Sequence, residues 1–462
     1  MNRDEYLAAC AARYDHCGYE RTKKMKFTQL ERMILEGHVE LARMLLQSRL
    51  EDDPRGKAKG GHLCPKCKHA LRFPEKHKWQ RRILRTIMGE LAYHRAYGLC
   101  DACGYTGAPL DEALAIPRRG PSVGALRKIC HAAVVARSFE AARDMLRELA
   151  GMLFGRQHIR TVSEREGRRI VEERNEEVKA AQAGRGPQAC ASAPELLVIA
   201  ADGGRVHTIQ PAPDERWKED RVGVVYDAVP RPDPEAKLGE YEGAKAQTKT
   251  YVASMEKWEP FGWMLWVEAL RRGYEAAKQV LFLADGAKPI RDLKNLHFPN
   301  AIFILDFWHV VEHLAGSARA AFGEGTEAAI AARERWKRML WNGNAEGIIR
   351  DIAEQSHRLG APQKGDPESS PRVVLHRDAF SFFPNNKDAM DYPRYRTQGW
   401  PIGSGAAESG VKQLAKRVKG TEMHWNVSHT GAEEILALCA LFNSEDGRWD
   451  QYWDRRAQGG PE

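Results

Sequence analysis

The chain has 462 residues, 43% of them hydrophobic and 29% charged, which is enough apolar material for roughly two to four packed domains and excludes a disordered chain. No apolar run approaches the ~18 residues of a membrane span, and MNRDEYLAAC lacks the apolar region of a signal peptide, so a cytoplasmic location is expected. Net charge is +8 but uneven: residues 1–200 carry 36 Lys and Arg against 25 Asp and Glu, the rest 35 against 38, and 61–100 hold nine basic and two acidic residues, the footprint of a polyanionic partner for the N-terminal half.

Residues 1–60 read as a helical region. In FTQLERMILEGHVELARMLLQSRLEDD apolar residues recur at helical spacing, until Pro54 and GKAKGG end the pattern. Residues 62–106 hold two CxxC pairs, Cys64/Cys67 and Cys100/Cys103. Four thiolates on two knuckles make a closed tetrahedral site, which predicts a structural Zn²⁺ in a zinc ribbon, with His62, His69 and His94 as spare ligands. Between the pairs, RRILRTIMGELAYHRAYGLC predicts a hairpin with a Gly-Glu turn. Cys10, Cys17, Cys130, Cys190 and Cys439 are scattered.

Residues 110–185 predict a helical DNA-binding region. Ser122 and Ser138 cap the first two of three helices, and the short Gly151–Gly155 connection suits a helix-turn-helix. The third helix, from about 156 to 177, carries Arg160, Arg165, Arg168 and Arg169; Arg160 and Arg165 are its candidate DNA contacts, and an ordinary helical linker domain is the alternative. A small, polar linker follows at 180–194.

Beyond the linker the pattern becomes α/β. LLVIAAD (196–202), RVHTIQ and RVGVVYDAV predict three strands, roughly 260–277 a helix, QVLFLAD (279–285) a fourth strand, 287–296 a short helix, and AIFILD (301–306) a fifth strand leading into WHVVEHL. That is the order of an RNase H-like core. The expected arrangement is a first part of that core at 195–312, an all-helical insertion at 313–398 and a final helix within 399–445.

Three carboxylates stand where chemistry can use them: Asp202 at the end of the first strand, Asp285 at the end of the fourth and Glu408 in the final helix. A carboxylate at the end of an apolar strand is expensive unless something pairs with it, and Mg²⁺ (or Mn²⁺) takes a few hard oxygen ligands of this kind. Either Asp-Gly alone also fits a plain turn. Asp306 ends the fifth strand and competes with Asp285 as the second aspartate, although it also fits a helix N-cap. His309 suits an auxiliary role beside it, and Asp306, His309 and His313 at one-turn spacing form a rival metal set. After Glu408, Lys412, Lys416, Arg417 and Lys419 read as a basic track for a phosphate backbone or, alternatively, as a solvated face. Trp425 fits a core position or a stacking platform for an unpaired base.

PNNKDAMDYPRYRTQGWPIGSGAAESGVK resembles the C-terminal signature of bacterial insertion-sequence transposases of the ISKra type, within the mutator-like DDE group; LFLADGAKPI and ILDFWHVVEHL resemble that family's two preceding blocks. The resemblance covers about 196–442. It implies an RNase H-like core with a helical insertion, DDE chemistry with Asp202, Asp285 and Glu408 at the triad positions, and a supporting role for the block holding Asp306 and His309. The expected function is Mg²⁺-dependent DNA cleavage and strand transfer by a nucleoid-associated homodimer or higher multimer. Its partners are terminal inverted repeats and target DNA, with no membrane. A nuclease or resolvase on the same fold, and a domesticated zinc-ribbon DNA-binding protein with an idle core, are the alternatives.

Overall fold

The computed structural model describes residues 3–59, 61–187, 193–210, 212, 215–420, 424–426, 428 and 430–459, with backbone alone at 406–408, 411 and 415. The chain forms two compact units, Met1–Ser163 with Trp449–Glu462, and Glu164–Arg448. Among the described residues no helix is long and apolar enough to cross a membrane.

The first unit begins with α1 (Arg3–His16), α2 (Tyr19–Thr22) and α3 (Phe27–Asp52). A hairpin follows, β1 (Gln80–Thr86) antiparallel to β2 (Gly89–Arg95), in register from Gln80↔Arg95 to Thr86↔Gly89. The turn therefore falls on Ile87 and Met88 and not on the expected Gly89-Glu90; Gly89, at φ +95°, opens the second strand, a backbone state that a side chain resists. One face of the hairpin (Leu84, Leu91, Tyr93) packs on Leu46 and Leu50 of α3 and on Leu110. A short ladder, β3 (Gly98–Leu99) with β4 (Thr106–Gly107), precedes α4 (Pro109–Ala113), α5 (Val123–Val135) and α6 (Phe139–Ala150). Ser122 Oγ accepts from Ala125 N (3.3 Å) and Ser138 Oγ from Ala141 N (3.0 Å), so both expected caps hold.

The units divide inside α7 (Arg156–Gln182) and not at 180–194. The C-terminal half of that helix belongs to the second unit because Val178 packs on its core and Arg174 donates to Ala253 O (3.0 Å) and pairs with Glu433 (2.6 Å).

The second unit is built on a five-stranded mixed sheet of β5 (Leu196–His207), β6 (Trp217–Val229), β7 (Lys245–Ser254), β8 (Gln279–Ala284) and β9 (Ile302–Leu305), in the order β7-β6-β5-β8-β9. β6 runs antiparallel to its neighbours β5 and β7, and β5, β8 and β9 are parallel. Two strand expectations change. LLVIAAD and RVHTIQ are one strand: β6 pairs with β5 from Leu197↔Asp227 to His207↔Trp217, straight through Gly203 and Gly204, so the ladder overrides the turn signal of Asp-Gly-Gly. The third strand is instead β7, KAQTKTYVAS, unassigned in the sequence because it is an edge strand with a polar first half.

Helices α8 (Trp258–Arg271) and α9 (Lys288–His297) cover one sheet face, burying Phe261, Leu265 and Leu293 against Leu197, Ile199, Ala201, Phe282 and Ala284. After β9 the chain is helical: α10 (Phe307–Phe322), α11 (Glu327–Trp341), α12 (Ala345–Leu359), α13 (Pro371–Arg377), α14 (Phe383–Asn386) and α15 (Tyr392–Gln398). The single helix expected within 399–445 is two, α16 (Gly405–Val418), on β5 and β6, and α17 (Thr430–Asn443), on β7; α18 (Arg448–Ala457) ends the described chain.

Glu268 of α8 is buried and accepts from Arg448 Nη2 (2.7 Å). Burial alone raises its carboxyl, but Arg448 and Arg271 hold it at about 2, below the ~4.3 of an unfolded Glu. Its contribution is therefore complete above that value and is lost as pH falls toward 2. Glu268→Gln should cost up to about 3 kcal/mol at pH 7, because buried Arg448 is then left with Asp446 as its carboxylate, and should flatten the loss of stability between pH 4.5 and 2; denaturant unfolding of both proteins across that range checks it.

Candidate functional site

Two places gather chemistry-bearing side chains. In the first unit, the metal-ligating atoms of Cys64, Cys67, Cys100 and Cys103 all lie within 4.8 Å of one another. Their sulfurs approach to 3.5 Å (Cys64–Cys103) and 3.4 Å (Cys67–Cys100) without forming a disulfide. The two knuckles repeat one backbone pattern. Cys64 N donates to His69 O and Cys100 N to Tyr105 O (2.8 Å each), while Lys68 N returns to Cys64 O (3.0 Å) and Gly104 N to Cys100 O (2.9 Å). The closing residue is left-handed in both, Lys68 at φ 64° and Gly104 at φ 69°. Burial works against ionisation of Cys64, yet the backbone N–H groups of Cys67 and Lys66 hold its thiol down at about 6. Four thiolates this close repel one another unless a cation sits among them. The cluster can bind a metal such as zinc, and all four cysteines picked out in the sequence belong to it.

In the second unit, a cleft of about 750 Å³ is lined by both Asp202 and Asp285, with Arg205, Trp217, Glu219 and Trp258 among its walls. Strand register brings the two aspartates together. β5 and β8 pair from Leu196↔Gln279 to Ala200↔Leu283; Asp202 follows two residues later within β5, and Asp285 is the first residue past the end of β8, so both stand at the same end of the paired strands. Alternation points Asp202 to the face opposite α8, because Leu197, Ile199 and Ala201 fill the α8 core, while Asp285 lines the cleft from the loop between β8 and α9. Each carboxylate is braced by backbone: Asp202 Oδ1 accepts from Gly203 N (2.7 Å) and Asp285 Oδ1 from Ala287 N (2.9 Å). Two hard oxygen donors in one open cleft fit a divalent cation such as Mg²⁺. Glu408 lies in α16, which packs on β5 and β6, but its side chain is outside the described residues.

Asp306, the rival second aspartate, has a different task. It is 2% exposed; Oδ1 accepts from His309 N (2.9 Å), capping α10, and Oδ2 accepts from Ser404 N, just before α16. His309 Nδ1 stands 3.7 Å from Glu312, and His313 stacks on Phe382 at 3.6 Å and meets Asp378 at 3.2 Å. Among the described residues the cysteine cluster is the one group of three or more potential ligands, so Asp306, His309 and His313 do not form the rival metal set. Trp425 is a core residue, 1% exposed, donating to Val418 O (2.8 Å).

The basic track beyond Glu408 needs correction. Lys412 and Lys416 are exposed, but Arg417 is buried beside Leu414 and Val418 and cannot reach a DNA backbone. Lys419 turns inward at the helix end and pairs with Asp220 (3.2 Å), a fully buried carboxylate whose burial pushes its pKa up against the pull of that lysine. Gly204 provides the seat: a Cβ there would collide with Lys419 Nζ and Asp220 Oδ1. The arginines of α7 are also partly spoken for. Arg160 is half-buried, Arg165 stands 3.8 Å from Glu166, and Arg168 is bound to Glu434 (2.7 Å). Sequence reasoning missed Arg205, Trp217, Glu219 and Trp258 of the cleft, because WKED reads as polar loop until its pairing with β5 is known.

Removing one thiolate should empty the cysteine cluster. Cys64→Ser is expected to lower bound zinc from about one equivalent to near zero and to loosen the β1–β2 hairpin, with the second unit still folded. Metal content with hydrogen exchange of both units checks it; less than half an equivalent in wild-type protein purified without chelator would contradict the site.

A family model described as "Uncharacterised protein family (UPF0236)" matches residues 21–449. No curated protein matches the chain. Because the family match runs through the cysteine cluster, the carboxylate cleft and α16, the protein belongs, over nearly its whole length, to the UPF0236 family.

Proposed function

We propose that the protein is a DDE-class DNA transposase with an RNase H-like core, cutting DNA at the terminal inverted repeats of an insertion sequence and joining the freed end to target DNA. The observation that carries this reading is the pair Asp202, in β5, and Asp285, just past the end of β8, lining one cleft of a sheet ordered β7-β6-β5-β8-β9. The helices α10–α15 between β9 and α16 suit the helical insertion of such a core, the cysteine cluster suits a zinc ribbon, and the basic segment 61–100 suits DNA. In this reading Glu408 of α16 is the third carboxylate and the working form is a homodimer or higher multimer.

Asp202, Asp285 and Glu408 would hold Mg²⁺ or Mn²⁺, which when bound supplies charge for the phosphoryl oxygens and acidifies a water. The protein's own groups orient the substrate. The backbone N–H groups of Gly203 and Ala287 fix one oxygen of each aspartate, and Arg205, exposed on the wall of the cleft, meets the DNA phosphates. Water attacks the phosphorus at the element end, the P–O3′ bond breaks and the 3′ oxygen leaves as a hydroxyl. That hydroxyl then attacks a target phosphorus in line, displacing a target 3′ oxygen. Both are phosphoryl transfers that differ only in nucleophile, so one site serves both.

Asp285→Asn, Asp202→Asn and Glu408→Gln should each cut cleavage and strand transfer by about a thousandfold, about 4 kcal/mol in the barrier. Asp306→Asn should keep measurable but reduced activity, since its amide oxygen still accepts from His309 N while its NH2 cannot accept from Ser404 N, and His309→Ala should be impaired but active. The assay is cleavage and joining of a duplex carrying the DNA that flanks the gene. Full activity in Asp285→Asn contradicts the assignment; cleavage without joining in wild type favours a nuclease.

A further inference from the structure

The β1–β2 hairpin has one buried and one open face. Leu84, Leu91 and Tyr93 face α3, so alternation turns Arg81, Ile83 and Arg85 of β1 outward. Ile83 is 49% exposed, and Trp79, next in the same row, 48%. Trp79 is held in place: its ring stacks on His94 at 5.3 Å with planes 5° apart, and Lys57 Nζ sits 4.5 Å above it. His94 is fixed in turn by Glu51 Oε1, which accepts from its backbone N (3.1 Å) and meets its Nδ1 at 3.0 Å. Among the described residues neither Arg81 nor Arg85 has an ion-pair partner.

We infer that this open face, Trp79, Arg81, Ile83 and Arg85 on a two-stranded ribbon, is a surface that docks in the major groove of duplex DNA. The inference rests on the proposed function and names the element that reads DNA, in place of the partly paired α7. Three observations select this occupant. The charge is one-sided, nine basic against two acidic residues across 61–100. A two-stranded ribbon fits the ~12 Å major groove, and Arg81 and Arg85, four residues apart on an extended strand, stand about 13 Å apart, matching that width with Ile83 between them at the groove floor. The tryptophan at the end of the row is immobilised by stacking, so contact costs it little conformational entropy.

The test is equilibrium binding of the full-length protein, without divalent cations, to a mixed-sequence duplex of about three helical turns (~30 base pairs), read by fluorescence anisotropy across a salt series. Arg81→Ala/Arg85→Ala should weaken binding at least tenfold and reduce the slope of log K against log salt by about 1.8, roughly 0.9 for each lost phosphate contact. Ile83→Glu should weaken binding similarly, with zinc content and thermal unfolding unchanged because the side chains are exposed. Both variants binding within twofold of wild type at an unchanged slope overturns the inference, as does unchanged DNA affinity with an altered oligomeric mass, which would mark a protein–protein face. Cleavage by the wild type separates the two claims. If it cleaves DNA while the variants bind normally, the ribbon assignment alone fails; if it binds through this face and does not cleave, the catalytic reading alone fails.

Discussion

The parallel pairing of β5 with β8 is the constraint on which the candidate catalytic cleft depends. Side chains alternate with a period of two, so a slip of one residue would turn Asp202 into the α8 core and bring an apolar neighbour to the surface. Leu197, Ile199 and Ala201 on one strand and Val280, Phe282 and Ala284 on the other fill that core together. The same burial that stabilises the unit therefore fixes the direction of Asp202 and the strand end from which Asp285 follows. No interaction between the carboxylates is needed to assemble the pair; their mutual repulsion is carried by the apolar rows beneath them.

Helix α16 is tied to that sheet at both ends. Before it, Asp306 spends one oxygen on the cap of α10 and the other on Ser404 N, so the end of β9 and the turn into α16 are joined through one buried carboxylate. After it, Lys419 reaches Asp220 over Gly204, and Trp425 N and Ile209 N continue the contact by hydrogen bonds to His207 O (3.1 Å) and Trp425 O (2.9 Å). Buried ion pairs are weak sources of net stability but costly to break on one side, so the pair over Gly204 acts as a register pin for α16. Gly204 and Asp306 thus serve the cleft by placing the helix that carries Glu408.

Much of this was legible in the chain because strong local signals agreed with the fold. Two CxxC pairs have little use apart and meet in space; Ser122 and Ser138 announce their helices; the apolar runs of β5, β8 and β9 stand out because both faces of the sheet are covered. The misses share a cause, which is that tertiary partners decided what local pattern could not. Asp-Gly-Gly reads as a turn, but β6 carries the strand through it and Lys419 needs the missing side chain. KAQTKTYVAS hides its strand because an edge has one neighbour and a wet half. Arg417 looks like part of a basic track until α16 is laid on the sheet and that residue is found beneath it. The open face of β1–β2 was invisible because nothing local distinguishes it from the covered one.

The central claim is that Asp202 and Asp285 share one cation. Crystals of the full-length protein grown with Mn²⁺ and measured at the manganese absorption edge test it directly. The account predicts an anomalous peak in the cleft within about 2.0–2.3 Å of a carboxylate oxygen from each aspartate, lost in crystals of the Asp285→Asn protein. A peak at Asp306, or no peak in the cleft at saturating Mn²⁺, would contradict it.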